Sequence, residues 1–309
     1  MTEAVAVKLS ANRAPVVTPD PAGSAAAETT VKIIDGLHFT DEKRTISDDA
    51  ILNHIRASVR RGHPQLWNTG LKPDRIALVG GGPSLESTLP DLIELVRSGA
   101  KLVTVNGAYR WCVERNLQPS AQVVLDGRPG TARFVDPEIP KCRYYLASQC
   151  HPSVWDAVEG RDQVAIWHSV APDSTSPEGQ ILTEYYGGNW QGVAGGTTVI
   201  TRALGLLRML GYLRFDLFGV DSCFLGDRHH AYPQTENEHD LRFRVTVAPA
   251  DHPELARDFW CAPWHVKQAE DFALTVRILG SKFLLNVHGD GLIAYMLKSA
   301  ADCVISQKG

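Results

Sequence analysis

From residue 75 onward, brief apolar runs alternate with stretches of helical spacing, the rhythm of a sheet covered by helices. Ile76–Val79, Leu102–Val105, Ala121–Leu125, Tyr144–Ala147, Val164–Trp167, Phe215–Phe218 and Phe283–Asn286 read as strands, being rich in β-branched and aromatic residues and bounded by turn formers. Between them the spacing predicts helices over Leu89–Ser98, Ala108–Asn116, Thr197–Leu210 and Val266–Leu279, with a short helix around Val154. Ahead of this rhythm, Ile51, Leu52, Ile55 and Val59 share one face of a helix from Asp48 to Arg60, with Ser47 or Asp48 placed to cap it. The fold expected is α/β: a Rossmann-like, mostly parallel sheet flanked by helices, with an irregular C-terminal lid region.

Three further segments set the organisation. Residues 1–30 are rich in Ala, Pro, Thr and Val and carry few large apolar groups, so they are expected to form a disordered tail. Residues 31–73 form the lead-in helix segment and 74–309 one nucleotide-binding domain, with polar loop insertions at 169–196 and 222–263. Loops of that length in a compact domain usually carry function, which points substrate contacts to those two segments. There is no internal repeat.

The strand ending at Val79 runs directly into Gly80-Gly81-Gly82-Pro83-Ser84 and then into a helix. Bare backbone at such a turn lets a ligand approach closely, and a helix N-terminus offers unpaired N–H groups to an anion. A phosphate cradle is therefore expected at Gly80, Gly81, Gly82 and Ser84, although the spacing is neither that of a P-loop nor that of a dinucleotide fingerprint. Asn106-Gly107, Asp126-Gly127 and Asp221-Ser222 also follow strands. In an open parallel sheet, ligands bind beyond the strand carboxyl ends, so all four features are expected to meet in one crevice.

A net charge of −4 argues against a partner recognised through its phosphate backbone, so no nucleic acid is expected. The six cysteines show no CxxC spacing, which predicts reduced, packed thiols and a cytoplasmic protein. No signal peptide is evident at the N-terminus, and the most apolar stretch, Thr197 to Val220, is interrupted by Arg202, Arg208, Arg214 and Asp216, so no membrane span is expected.

The run Val79-Gly80-Gly81-Gly82-Pro83-Ser84-Leu85, then Val105-Asn106-Gly107-Ala108, then Asn116-Leu117-Gln118-Pro119 leading to Leu125-Asp126-Gly127, resembles the MptE-like domain. That family includes archaeal 6-hydroxymethylpterin diphosphokinases and motility accessory factors implicated in flagellin glycosylation. Gly195-Gly196-Thr197 through Gly211 to Phe218-Gly219-Val220-Asp221, followed by His229-His230-Ala231-Tyr232, is similar to the accessory-factor branch. The order of features also resembles bacterial sialyltransferases of glycosyltransferase family 42, more remotely. There the turn and the strand-end Asn hold a CMP-sugar, and a His ahead of a helix is the general base, a place filled here by His265. Two departures matter: those sialyltransferases carry Asn in the turn where this chain has Gly81, and the pterin kinases carry an additional acidic residue where this chain offers Asp126 alone.

The resemblance implies a nucleotide-dependent transferase, first a sialyltransferase-like enzyme moving a sugar from a CMP-activated donor to a hydroxyl of a small molecule or glycan. The alternatives are an ATP-dependent diphosphokinase, for which Mg2+ would be the cofactor, and a non-catalytic nucleotide- or glycan-binding accessory protein. Under the first reading His265 and Asp221 are catalytic, while Gly80, Gly81, Gly82, Ser84, Asn106, Gly107, Asp126 and Arg128 hold the nucleotide. Tyr185, with its neighbour Tyr186, and Tyr232 steady the leaving phosphate, and Asp126 is the one candidate metal ligand. Each has a structural counterpart: an Asx turn for Asp126, a surface pair for Arg128, a turn for Asn106-Gly107 and a loop anchor for Asp221. For His265 it is a helix-end hydrogen bond, and for the tyrosines aromatic packing.

Overall fold

A computed structural model describes residues 30–33, 46–171, 173–234, 242–249, 252–279 and 283–298. Its centre is a seven-stranded parallel sheet made of β2 (Arg75–Val79), β3 (Lys101–Val105), β4 (Ala121–Val124), β5 (Arg143–Ala147), β6 (Val164–Trp167), β7 (Arg214–Phe218) and β10 (Leu284–Val287). The spatial order is β10-β7-β2-β3-β4-β5-β6. From β2 the chain steps outward to β6, then returns to lay β7 on the other side of β2. The direction of winding reverses between β2 and β7, and a crevice opens at such a switch point.

The inner strands are buried on both faces, which is why they read as continuous apolar runs. Alternation along β2 divides the interior in two. Ile76 and Leu78 join the larger core with Ile55 and Val59 of α1 (Asp48–Val59), while Ala77 and Val79 pack with Leu85 and Leu92 of α2 (Leu85–Arg97) and Trp111 of α3 (Ala108–Val113). Ser47 caps α1 by accepting the Ala50 N–H at 3.2 Å. Helix α2 starts four residues before the position read from sequence, and Pro90 lies inside it instead of at its first turn.

The edge strand β10 is tied to the centre through one buried carboxylate. Asp216, mid-β7, accepts bonds from Nε and Nη2 of Arg75 and from Asn286 Nδ2, and pairs with His288 Nε2 at 3.1 Å. Although burial opposes ionisation, these partners hold its carboxyl down at about 2.

Two segments whose composition reads as loop carry regular structure. Within 169–196 lies α5 (Pro177–Tyr186), started by Ser176, whose Oγ accepts the Gly179 N–H, and ended by Gly187 at a φ of 63°. Helix α4 (Pro152–Asp156) and α5 both pack on α1. Within 222–263 lie β8 (Phe243–Val247) and β9 (Arg257–Cys261), an antiparallel pair joined by β1 (Thr30–Ile33) parallel to β8. Helix α6 (Val199–Met209) packs on β3 and β4 of the main sheet, α7 (Pro263–Leu279) packs on α6 and β9, and residues 292–298 form a last helical segment. The tail expected over residues 1–30 lies outside the described residues apart from Thr30. No helix among the described residues is long and apolar enough to cross a membrane.

Candidate functional site

None of Gly80, Gly81 and Gly82 adopts a positive φ, so space and not dihedral freedom selects glycine in this turn. A Cβ on Gly80 would lie 2.7 Å from the Gly219 carbonyl oxygen, and one on Gly82 would collide with the Asp221 carboxylate and lie 2.8 Å from that same carbonyl. A Cβ on Gly81 would instead lie 2.5 Å from the Tyr232 hydroxyl and 2.6 Å from His230 Cδ2. Gly80 and Gly82 therefore let the turn seat on the end of β7, while Gly81 lies beneath the His229–Tyr232 loop. That loop is fixed there by the Ala231 N–H, which donates to Gly81 O at 3.0 Å. Tyr232 also lies over Gly107, the residue that opens α3.

The cradle expected at Ser84 is met from inside the protein. The Ser84 N–H donates to Asp221 Oδ2 at 3.0 Å, so a buried carboxylate already occupies the positive end of α2. Burial pushes the Asp221 carboxyl up and the Ser84 N–H bond pulls it back. Gly289 and Gly291 close in from the loop after β10, and the Ile293 N–H donates to Asp221 O at 3.3 Å. Asp221 borders the crevice as a brace between three strand ends, the loop-anchor arrangement, and it engages the Ser84 N–H expected to meet a phosphate.

A different helix presents an open N-terminus. Gly195 and Gly196, both at positive φ, lead into Thr197, whose N–H and Oγ1 donate to Asp271 of α7 at 2.8 and 2.7 Å. Helix α6 then begins at Val199 with Thr198 as N-cap, and the Thr198 side chain makes no capping bond. Thr198, Val199 and Ile200 line a cavity of about 200 Å³ together with Gly80–Gly82, Asn106, Ser222, His229, His230, Trp264, His265 and Gln268. Ser222, left-handed at a φ of 52° and only 4 % exposed, lines the same cavity with an Oγ that finds no hydrogen-bond partner. A buried hydroxyl without a partner beside uncapped helix N–H groups is a donor set for an anion. Neither the α6 terminus nor the Ser222 hydroxyl was identified as a contact from sequence; the signals were Gly195-Gly196-Thr197 ahead of a helix and the polar pair closing β7.

His265 is buried on the first turn of α7, and its Nδ1 accepts the Ala262 N–H at 3.0 Å. The neutral ring must then carry its proton on Nε2, making it a donor. A general base needs an unprotonated nitrogen facing the acceptor, whereas in this arrangement the unprotonated nitrogen is engaged by the Ala262 N–H. Burial, then the neighbouring His230 and His229, hold its pKa well below the usual histidine value, so it stays neutral at physiological pH. Its ring meets Trp264 at 3.7 Å and Phe224 at 5.0 Å between centroids, locking the orientation.

Asn106 also lines the cavity, at a φ of 42°; its Oδ1 accepts the Leu125 N–H at 3.3 Å and its carbonyl accepts Gln122 Nε2 at 2.8 Å. The remaining expected residues lie apart. Asp126 and Arg128 follow β4, two strands or roughly 10 Å from β2, with Arg128 Nη2 2.5 Å from Asp126 Oδ2. Both carboxylate oxygens of Asp126 are bonded to that guanidinium, so the residue does not fit a magnesium ligand in this arrangement. Tyr185 is on α5, half-exposed and edge-on to Tyr186, whose ring faces His168 at the end of β6, four strands or roughly 19 Å from β2. The structure does not bring Tyr185 together with the cavity-lining residues. Among the described residues no group of three or more His, Cys, Asp or Glu is placed to hold a metal ion.

The fold is similar to the solved structure of the MAf glycosyltransferase from Magnetospirillum magneticum AMB-1, with a TM-score of 0.52 at 14% identity. That likeness covers 84% of this chain and 42% of the other, so this chain spans less than half of its neighbour's length. No curated protein matches. Residues 52–227 match the family described as 6-hydroxymethylpterin diphosphokinase MptE-like, and with more than half of its length so matched the chain belongs to the MptE-like family.

Proposed function

We propose that this protein is a nucleotide-dependent transferase whose activated donor places its phosphate at the N-terminus of α6. The observation that carries this is the uncapped first turn of α6 opening into the same cavity as the buried, unpartnered hydroxyl of Ser222. When a sugar–phosphate bond breaks, negative charge grows on the departing phosphate, and fixed N–H and O–H donors stabilise that charge without reorganising. Backbone N–H groups of residues 199–201, Ser222 Oγ–H and His265 Nε2–H are the donors available, and a neutral imidazole donates at no cost in proton uptake. Gly81, Gly107 and Tyr232 then bound the nucleotide side. At about 200 Å³ the cavity is below the ~300 Å³ typical of whole ligand sites, so it fits the phosphate-bearing end of the donor.

A CMP-activated sugar is the donor we favour. The fold it shares with a glycosyltransferase supports this, as does the engagement of both Asp126 oxygens by Arg128, a guanidinium that magnesium would have to displace. The family description supplies the second reading, ATP- and magnesium-dependent transfer to a pterin-like alcohol. A thermal-shift panel of CMP, CDP, UDP, GDP, ADP and ATP, each with and without Mg2+, separates the two. At a hundredfold excess over Kd a ligand adds about 2.7 kcal/mol of stability, well within detection. Stabilisation by CMP without metal supports the first reading; stabilisation by ATP with Mg2+ alone supports the second. Stabilisation without product from any donor and acceptor would make the protein a binding accessory.

A further inference from the structure

At the opposite edge of the sheet, where the strands begin, a second cavity of about 220 Å³ opens. Its floor is apolar, formed by Ile76, Val103, Ala121 and Leu207, and two tyrosines, Tyr145 and Tyr212, wall it. Lys101, Lys141 and Arg143 line its rim, and Lys72 Nζ reaches within 4.7 Å of the Tyr212 ring centroid. Lys101 Nζ lies 5.6 Å from the same centroid and 3.0 Å from Asp74, the one carboxylate paired within this group among the described residues. Among those residues, four cations thus share one edge of an apolar slot with a single paired acid. The Lys72 ammonium is held below its usual value by burial and by repulsion from Lys101 and Arg143, a repulsion that a bound anion would relieve. The strands supply the arrangement: Lys101 begins β3, Arg143 begins β5, and Ala121 begins β4 between them.

We infer that this edge is a second binding site, separate from the crevice, for a small organic phosphate: a phosphate monoester whose compact apolar or aromatic body enters the slot. The slot has room for roughly seven waters at ~30 Å³ each, which suits a single ring. The phosphate meets Lys101, Lys141 and Arg143 at the rim, with Lys72 behind, and the ring packs between Tyr145 and Tyr212.

Calorimetric titration with phenyl phosphate, inorganic phosphate and phenol tests this on the full chain. Phenyl phosphate is expected to bind at least about tenfold more tightly than either part alone, because burial of one ring and a charge-assisted hydrogen bond each exceed the energy of a tenfold change. Its affinity should fall with added salt and fall at least about tenfold in Lys101→Gln/Arg143→Gln. It should be unchanged in Gly81→Val, which obstructs the crevice at the other edge. Were the double variant not to fold, Lys141→Gln alone, an exposed side chain, must weaken binding. Equal affinity for inorganic phosphate, loss of binding in Gly81→Val, indifference to the rim variants or no saturation by about 10 mM would overturn the assignment.

Discussion

Gly81 and Gly82 are adjacent and chemically identical, yet the structure predicts opposite outcomes when each becomes alanine. The new Cβ at Gly82 would collide with Asp221 Oδ2 and lie 2.8 and 2.9 Å from the Gly219 O and C atoms, all three belonging to a buried brace. Backbone cannot swing aside, so overpacking of about 1–3 kcal/mol adds to loss of the Ser84–Asp221 bond, itself about 1.5–3 kcal/mol because one partner is charged. Gly82→Ala should therefore cost about 3–5 kcal/mol. At Gly81 the Cβ would meet only the outer ends of the Tyr232 and His230 side chains, which can rotate, so Gly81→Ala should cost about 1 kcal/mol or less. It should disturb ligand binding instead, because those two side chains wall the nucleotide side. Urea unfolding at constant m measures the first effect and calorimetric titration with CMP the second. Equal stability losses in the two variants, or a Gly82→Ala protein as stable as wild type, would refute the packing argument.

Other predictions follow from the buried ionisable groups. Arg75→Ala leaves the Asp216 carboxylate buried with Asn286 and His288 alone, so it should cost about 3 kcal/mol near neutral pH; a cost under about 1 kcal/mol would show the pair to act as a surface one. In the intact protein the same carboxyl, lowered from 3.8 to about 2, adds stability that is present above pH 3.8 and lost as pH falls through 2, about 2 kcal/mol in all. His168 is lowered by burial from 6.5 to about 4, so the unfolded chain takes up its proton first and stability should fall as pH drops below 6.5. At pH 5 that loss is about 2 kcal/mol from His168, with buried His265 adding in the same direction; a denaturation midpoint unchanged from pH 7.5 to 5 would contradict it. His265→Ala should lower kcat about 10²-fold and weaken CMP binding as well, because its Nε2–H is one of the phosphate donors, and wild-type turnover should show no acidic limb near pH 6.5, where a histidine base would place one.

The sheet was legible because its inner strands are buried on both faces, so Ile76–Val79 and Phe215–Phe218 announce themselves as apolar runs between turns. Helix α5 was not, because it begins at Pro177 and ends at Gly187-Gly188, and its polar, glycine-flanked composition resembles loop. The pair β8 and β9 was missed for a related reason: Arg244, Asp258 and Trp260 alternate with buried residues, and half-exposed strands of that kind do not stand out from loop. At the site, sequence located the crevice but could not say which carboxylate meets which helix. Asp221 lies 137 residues from Ser84, and only the fold reveals that it occupies the α2 terminus and leaves the α6 terminus open. The tautomer of His265 was equally hidden, since it depends on one backbone N–H three residues upstream.

The most direct measurement is a crystal structure of the protein soaked with CMP. The account predicts phosphate oxygens about 2.9 Å from the backbone N–H groups of Val199–Thr201 and within hydrogen-bond reach of Ser222 Oγ, with Asp221 still accepting from Ser84. Phosphate found instead at the Ser84 N–H, with Asp221 displaced, would contradict it and return the anion site to the glycine turn.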